Sequence, residues 1–263
     1  MRSDSVTQGK KRKTDVHWNE RAAAVENDIE VNIKDIFQRD LEFDHILRRL
    51  TREMTVLEVG CGNGFSTNLF RERVKHIDAF DCSENMIKRA RAAYGETNNR
   101  FIIDNILNPQ RLDGQYDAVI CIRVLINLQS VVEQHLAIQN LAQFVKFKGI
   151  LILAEGFREG FEALTDLRLK IGLPAIEPAK INFYSSLKDL LPLIEQYFAI
   201  ENTFHLGAYD YLTRVLYPLL VGNENVKHNT IFSERSALLA KEYNPDCFEN
   251  LSRMRGYILR KQV

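Results

Sequence analysis

The chain has 263 residues, 45% of them apolar, and carries 35 basic and 35 acidic side chains. That is enough for one full hydrophobic core with an elaboration, while the balanced charge argues against a nucleic-acid substrate, which favours a basic excess. No apolar run reaches the roughly 18 residues that a membrane-spanning helix needs.

Residues 1–14 are polar and hold the dense basic run Lys10-Lys11-Arg12-Lys13, which reads as a solvated, disordered tail. No signal-peptide apolar region follows it, so a cytoplasmic protein is expected. Residues 15–50 form an N-terminal helical segment. Its first helix or turn covers 15–24, and a second helix over 35–50 points Ile36, Phe43, Ile46, Leu47 and Leu50 toward a sheet.

Val56 to Val59 reads as a buried parallel strand running into Gly60-Cys61-Gly62-Asn63-Gly64, with a helix over 65–74 behind it. Glycine at every second position lets the backbone turn sharply and approach a ligand, and the first N–H groups of the helix offer donors. A dinucleotide fingerprint, G-x-G-x-x-G, fails in both registers, because Phe65 or Thr67 stands where the third glycine belongs. A second strand over 76–81 ends in Asp81, about 20 residues beyond the loop, where a carboxylate at a strand tip accepts both ribose hydroxyls. Asp81 also suits the start of the next helix, 83–94, since acids are favoured there. Strands over 100–103 and 116–123 follow, ending in Asp104 and Arg123. A helical stripe of Val132, Leu136, Leu141 and Val145 comes next, and Gly149 precedes a fifth strand over 150–155. Five alternations of strand and helix demand a parallel α/β sheet with right-handed crossovers and helices on both faces. Ligands bind outside its carboxyl ends, where the glycine loop, Asp81, Asp104 and Arg123 converge.

The pattern Glu58-x-Gly60-x-Gly62-x-Gly64 resembles motif I of the class I, Rossmann-like, S-adenosylmethionine-dependent methyltransferases. The likeness covers roughly residues 50–160 and the final strand. It implies a seven-stranded, mostly parallel sheet with helices on both faces, forming a methyltransferase domain over 51–263. Helical insertions stand after strand five, at about 157–184, and between strands six and seven, at about 205–250. It also implies S-adenosyl-L-methionine as cofactor. Glu58, Gly60, Cys61, Gly62, Asn63 and Gly64 would lie under its methionine and ribose, Asp81 and Cys82 at the ribose hydroxyls, and Met86 against the adenine or in the core. Asp104 would accept from the adenine amino group with Asn105 and Ile106 beside it, and Arg123 would stand at the floor beneath the reactive methyl. Trp18 and Arg21, in a Trp-x-x-Arg-Ala string, resemble the family's lid across the cofactor mouth, or Trp18 anchors its segment on the core. The Asn/Asp-Pro-Pro-aromatic tetrapeptide of enzymes acting on adenine bases or glutamine is replaced by Arg123-Val124-Leu125-Ile126, which disfavours that branch.

Later in the chain, Ser186-Leu187-Lys188-Asp189 starts a helix that Pro192 shifts or kinks. A sixth strand spans 199–204 and a last, antiparallel strand 256–260, with helical stretches at 211–220 and 233–243 between them. The two insertions roof an acceptor pocket, or the late helices serve as an oligomer interface. Methyl transfer from a sulfonium is an in-line displacement that asks chiefly for alignment and exclusion of water, with a base only where the acceptor loses a proton early. Glu155, Tyr184, His205 and Tyr209 are the catalytic candidates, with Asp210 and Arg214 in the same regions. Arg123, Arg158, Arg168 and Arg214 are either clamps for a carboxylate or phosphate or ordinary surface charges. The four cysteines and six histidines show no metal-ligand spacing. The expected activity is transfer of a methyl group to oxygen or nitrogen of a small-molecule acceptor, such as a sugar or glycan precursor. The alternatives are a methyltransferase acting on protein or RNA, with the basic tail as docking arm, and a non-catalytic S-adenosylmethionine-binding regulatory subunit.

Overall fold

A computed structural model describes residues 13–25 and 31–262, so most of the polar tail lies outside the described residues. Lys13–Ala24 (α1) and Ile36–Leu47 (α2) precede the first strand, Thr55–Val59 (β1). Phe65–Phe70 (α3), His76–Asp81 (β2), Glu84–Tyr94 (α4), Asn99–Ile103 (β3), Tyr116–Ile122 (β4), Val131–Phe144 (α5) and Val145–Gly156 (β5) then alternate. Arg158–Lys170 (α6) and Leu187–Ile194 (α7) lead to Phe198–His205 (β6). Gly207–Tyr211 (α8), Tyr217–Val221 (α9) and Ile231–Glu242 (α10) separate β6 from Met254–Lys261 (β7).

The seven strands form one sheet in the order β3-β2-β1-β4-β5-β7-β6. The first five pair in parallel, and β7 runs antiparallel between β5 and β6. This is the class I methyltransferase architecture. Strand order reverses between β1 and β4, and such a switch point opens a crevice at the carboxyl ends of the two strands. One face of the sheet is covered through Phe43, Ile46 and Leu50 against Val56, Ile77, Ile120 and Ile152, and the other through α5 and α7 against Leu57, Val119, Leu151 and Leu259.

Several boundaries depart from the sequence expectation for identifiable reasons. The stripe expected on α5 is rotated: Val132 and Leu136 are exposed, whereas Ala137, Ile138, Leu141 and Phe144 are buried. The buried face also holds Gln134, whose amide donates to the carbonyls of Leu125 and Phe183. A polar residue with satisfied hydrogen bonds thus occupies a core position that an apolar pattern skips. Gly149 does not precede a strand but lies within β5, next to Lys148 in a left-handed conformation (φ 62°), where the pairing register with β4 slips. Pro192 stands inside the last turn of α7 without moving its start from Leu187. That start is capped from a distance, since the Glu159 carboxylate accepts from the Ser186 hydroxyl (3.0 Å) and the Leu187 N–H (2.9 Å).

Candidate functional site at the carboxyl edge of the sheet

The loop after β1 is built by hydrogen bonds at its back. The N–H groups of Gly60 and Cys61 both donate to the Phe80 carbonyl, which ties the loop to β2. Glu58, buried at the end of β1, accepts from the hydroxyls of Ser66 and Thr67 and so fixes the first turn of α3. Burial pushes the Glu58 carboxyl up to about 7, against the opposing effect of those two hydroxyls. Gly60 has φ +72°, and a Cβ there would collide with the Val124 side chain; Gly64 has φ +78°, and a Cβ there would meet Ala90 and Phe101 at 2.8 Å. Neither position tolerates a side chain, the first because β4's exit loop lies against it and the second because α4 and β3 do.

This loop, the ends of β2 to β4 and the N-terminal segment enclose a cavity of about 600 Å³, within the range of small-molecule sites. Of the thirteen residues from Glu58 onward that the sequence assigned to it with Trp18 and Arg21, most reach its wall. Trp18, Arg21, Glu58, Gly60, Gly62, Asp81, Cys82, Met86, Asp104, Asn105, Ile106 and Arg123 all line it. Cys61, Asn63 and Gly64 do not. Cys61 is buried against Ala79, Ile87 and Phe101, Asn63 accepts from the Asn32 amide (3.0 Å), and Gly64 packs on α4, so these three support the loop from behind.

The acids have structural partners as well. The Asp81 carboxylate accepts from the Gly62 N–H (3.0 Å) and the Ser83 N–H (2.8 Å), bridging the glycine loop to the start of α4. Asp104 accepts from the N–H groups of Asn105 (2.8 Å), Gln110 (3.1 Å) and Arg111 (2.9 Å), which folds residues 104–111 into one wall of the cavity. Trp18 donates through Nε1 to the Asn127 side chain (3.3 Å), and Arg89 on α4 donates to the Ala22 carbonyl (2.7 Å), so α1 is held across the mouth from both sides.

A second cavity of about 210 Å³ adjoins the first and shares Ile33, Lys34, Arg123, Ile126 and Asn182 with it. Asp35, Gln38, Tyr184, Arg214, His228, Arg253 and Met254 complete it. Both insertions contribute: residues 179–182 and Tyr184 come from the first, Arg214 and His228 from the second. Arg123 sits at the junction in a left-handed conformation (φ 53°), a strained backbone of the kind that marks functional sites. Its guanidinium pairs with Glu42, which is fully buried on α2 and whose carboxyl burial pushes upward despite that pairing. Asp35 accepts from the Tyr209 hydroxyl (2.7 Å) and from Arg214 (2.9 Å). Burial alone would raise its carboxyl, but His228, Arg214 and Tyr209 together hold it well below the usual range. Arg253 donates to Asp210 (2.7 Å) and to the Gln38 side chain (3.2 Å).

Three of the four catalytic candidates lie outside both cavities. Glu155 is fully buried, and its oxygens accept from the N–H groups of Val124 (2.7 Å), Leu125 (2.8 Å) and Ile126 (3.2 Å). Burial pushes its carboxyl up to about 7. It holds the turn that floors the site and lines neither cavity. His205 takes hydrogen bonds at Nδ1 with the Gly207 N–H (3.2 Å) and the Asn244 amide (3.1 Å), and Tyr209 is buried on Asp35. Tyr184 alone of the four faces a cavity, and its hydroxyl has no hydrogen-bond partner among the described residues. Of the candidate clamps, Arg168 is buried and spent on the Pro174 carbonyl (2.9 Å) and the Asn223 side chain (2.7 Å), and Arg158 is exposed.

Sequence reasoning missed Gln38, Glu42, Arg253, His228, Asn127 and Asn182. For Gln38 and Glu42 a signal existed: with Ile46 they recur every four residues along one face of α2, placing polar side chains in line with the core. The others come from distant segments and carried no local signal.

Residues 56–149 match a family described as "Methyltransferase domain". The chain is similar to the ubiquinone biosynthesis O-methyltransferase of Rickettsia bellii (strain OSU 85-389), 33% identical over 105 residues, which is 39% of this chain and 42% of that protein. It is also similar to the malonyl-[acyl-carrier protein] O-methyltransferase of Bacillus cereus, 32% identical over 119 residues, 43% of this chain and 42% of that protein. The matched stretch thus spans about two-fifths of these curated relatives. Among solved structures, magnesium protoporphyrin IX methyltransferase from Synechocystis PCC 6803 with bound SAH (S-adenosylhomocysteine) superimposes with a TM-score of 0.59 at 16% identity. The superposition covers 95% of each chain.

Proposed function

We propose that this chain, which belongs to the class I S-adenosylmethionine-dependent methyltransferases, binds S-adenosylmethionine in the larger cavity. It would transfer the methyl group to an oxygen or nitrogen of a small molecule seated in the adjoining one. The observation that carries the reading is the convergence of Gly60, Gly62, Glu58, Asp81 and Asp104 from three neighbouring strand ends on one cavity, which opens into a second at Arg123. The donor and acceptor set fits the cofactor. Asp81 offers carboxylate oxygens to ribose hydroxyls, Met86 and Ile106 give an apolar surface for a base, and Arg21 offers a positive charge to a carboxylate. Bound there, the cofactor supplies a methyl group already activated on a sulfonium.

The chain's own contribution is alignment and exclusion of water. Glu155 fixes the 124–126 turn against the floor, α1 covers the mouth through Trp18, and the two insertions cap the acceptor side. Tyr184 is the one polar hydroxyl among the four candidates positioned to contact an acceptor. Small-molecule names among the relatives support an acceptor of that class. The guanidinium-rich lining of the second cavity gives no particular support to a sugar. Incubating the protein with S-adenosylmethionine carrying a labelled methyl group and with cell extract separated by size should place label in the low-mass fraction. Label confined to protein or RNA, or no transfer by protein that binds the cofactor, would overturn it.

A further inference from the structure

The smaller cavity is built around three guanidiniums, paired one for one with three acids, and the exposed Lys34 adds a fourth cation at its rim. Lys34, Arg123, Arg214 and Arg253 line it, whereas Asp35 is the one carboxylate in its wall among the described residues. The other acids of the network, Glu42 and Asp210, stand behind the arginines that they pair with, each almost completely buried. Four cations against Asp35, Glu42 and Asp210 leave one positive charge in excess before His228 is counted, and His228 lies 3.8 Å from Asp35.

The hydrogen-bond inventory points the same way. Asp35 already accepts from Gln38 N–H, Tyr209 and Arg214, and Asp210 accepts from the Arg253 N–H and side chain. The acids are therefore close to saturated. The arginines are not. A guanidinium has five N–H groups; Arg123 uses one nitrogen, on Glu42, and Arg253 uses Nε and Nη2 but not Nη1. Arg214 Nε is buried with no hydrogen-bond partner among the described residues, the Asp210 carboxylate standing 3.9 Å away. The Tyr184 hydroxyl is likewise unpartnered among the described residues. Unused donors and surplus positive charge in a half-enclosed cavity suit a ligand that is acceptor-only and negative, and disfavour an amine.

We propose that this cavity is an oxyanion subsite that holds a carboxylate or phosphate group of the methyl acceptor on Arg123 and Arg253, with Tyr184 and His228 as further donors. The proposal rests on the reading that the larger cavity takes the cofactor, since the adjoining cavity is then the acceptor side of the site. The group bound there does not react. It anchors the acceptor so that its nucleophilic atom lies toward the shared wall at Ile126 and Asn182, and the exposed Lys34 and Lys180 at the rim draw anions toward the mouth.

The full chain saturated with S-adenosylhomocysteine is titrated with phenyl phosphate, benzoate, benzyl alcohol and benzylamine, each followed by amide chemical shifts. At least one of the two oxyanions should bind about 10-fold or more tightly than the alcohol, and the amine no better than the alcohol. Comparison of the two oxyanions tells phosphate from carboxylate. Arg253→Met should abolish the preference. Because that substitution exposes Asp210 to a lost partner, Tyr184→Phe, which changes no charge, serves as the second variant and should weaken the preferred oxyanion about threefold. Equal binding of all four probes, preference for benzylamine, or an unchanged preference in both variants would overturn the subsite. Failure of S-adenosylhomocysteine itself to bind would instead overturn the cofactor reading on which it rests.

Discussion

The two cavities are made in different ways. The larger one is assembled from backbone close to itself in sequence: the glycine loop, the strand end that carries Asp81 and the turn closed by Asp104 each take their shape from N–H groups a few residues away or on the adjacent strand. The smaller one is assembled from side chains that meet across the molecule, with Glu42 on Arg123, Asp35 on Tyr209 and Arg214, and Gln38 on Arg253. A local, backbone-built site keeps its geometry when one side chain is trimmed and loses only that contact. A site of buried charges loses more, because each removed partner strands the other.

That contrast can be broken by substitution. The largest effect is expected at the charged network: Glu42→Ala should leave Arg123 without its buried partner and lower unfolding free energy by about 3–5 kcal/mol, read by chemical denaturation. A loss below about 1 kcal/mol would mean that the network is not a stability element. Glu58 gives a pH signature on the other side. Its carboxyl is raised from 4.5 to about 7 by burial, so the folded chain binds more protons than the unfolded one between those values. Its contribution is present in full below pH 4.5 and is lost as pH rises through 7, an effect of roughly 3 kcal/mol. Glu58→Gln should remove that part of the slope of stability against pH, and an identical slope in the variant would remove Glu58 as its source.

Asp81→Ala should weaken S-adenosylmethionine binding by roughly 1.5–4 kcal/mol, through lost charge-assisted hydrogen bonds to the ribose and a loosened Gly62 N–H. Unchanged affinity in calorimetry would leave Asp81 with its structural role alone. The smallest effect is expected at the mouth. Asn127→Ala removes the acceptor of the Trp18 Nε1–H and should cost about 0.5–1.5 kcal/mol of cofactor binding, with faster cofactor release by stopped flow. Unchanged release would show that α1 does not act as a cover.

The same contrast explains what the sequence revealed. Glu58-x-Gly60-x-Gly62-x-Gly64 and the acid at residue 81 are legible because a strand, a tight turn and a helix start impose residue types at fixed short spacings. The sheet follows from the alternation of strand and helix patterns. The side-chain network is not legible in this way. Glu155 looked like a base because it ends a strand, yet only the fold shows that the 124–126 turn folds back over it and uses its oxygens. His205 and Tyr209 drew notice by residue type and by their place in the second insertion, and in the fold both make hydrogen bonds within the protein and line neither cavity. Arg253 and His228 carried no signal because their partners lie in other segments, and the rotation of α5 was hidden by a single buried glutamine.

The central claim, that the glycine-loop cavity holds S-adenosylmethionine, is tested most directly by isothermal titration of the folded full chain with S-adenosylmethionine and S-adenosylhomocysteine. Saturable binding at one site per chain, weakened by Asp81→Ala, is the predicted result. A folded protein that releases no heat with either ligand, and gains no thermal stability from them, would contradict it.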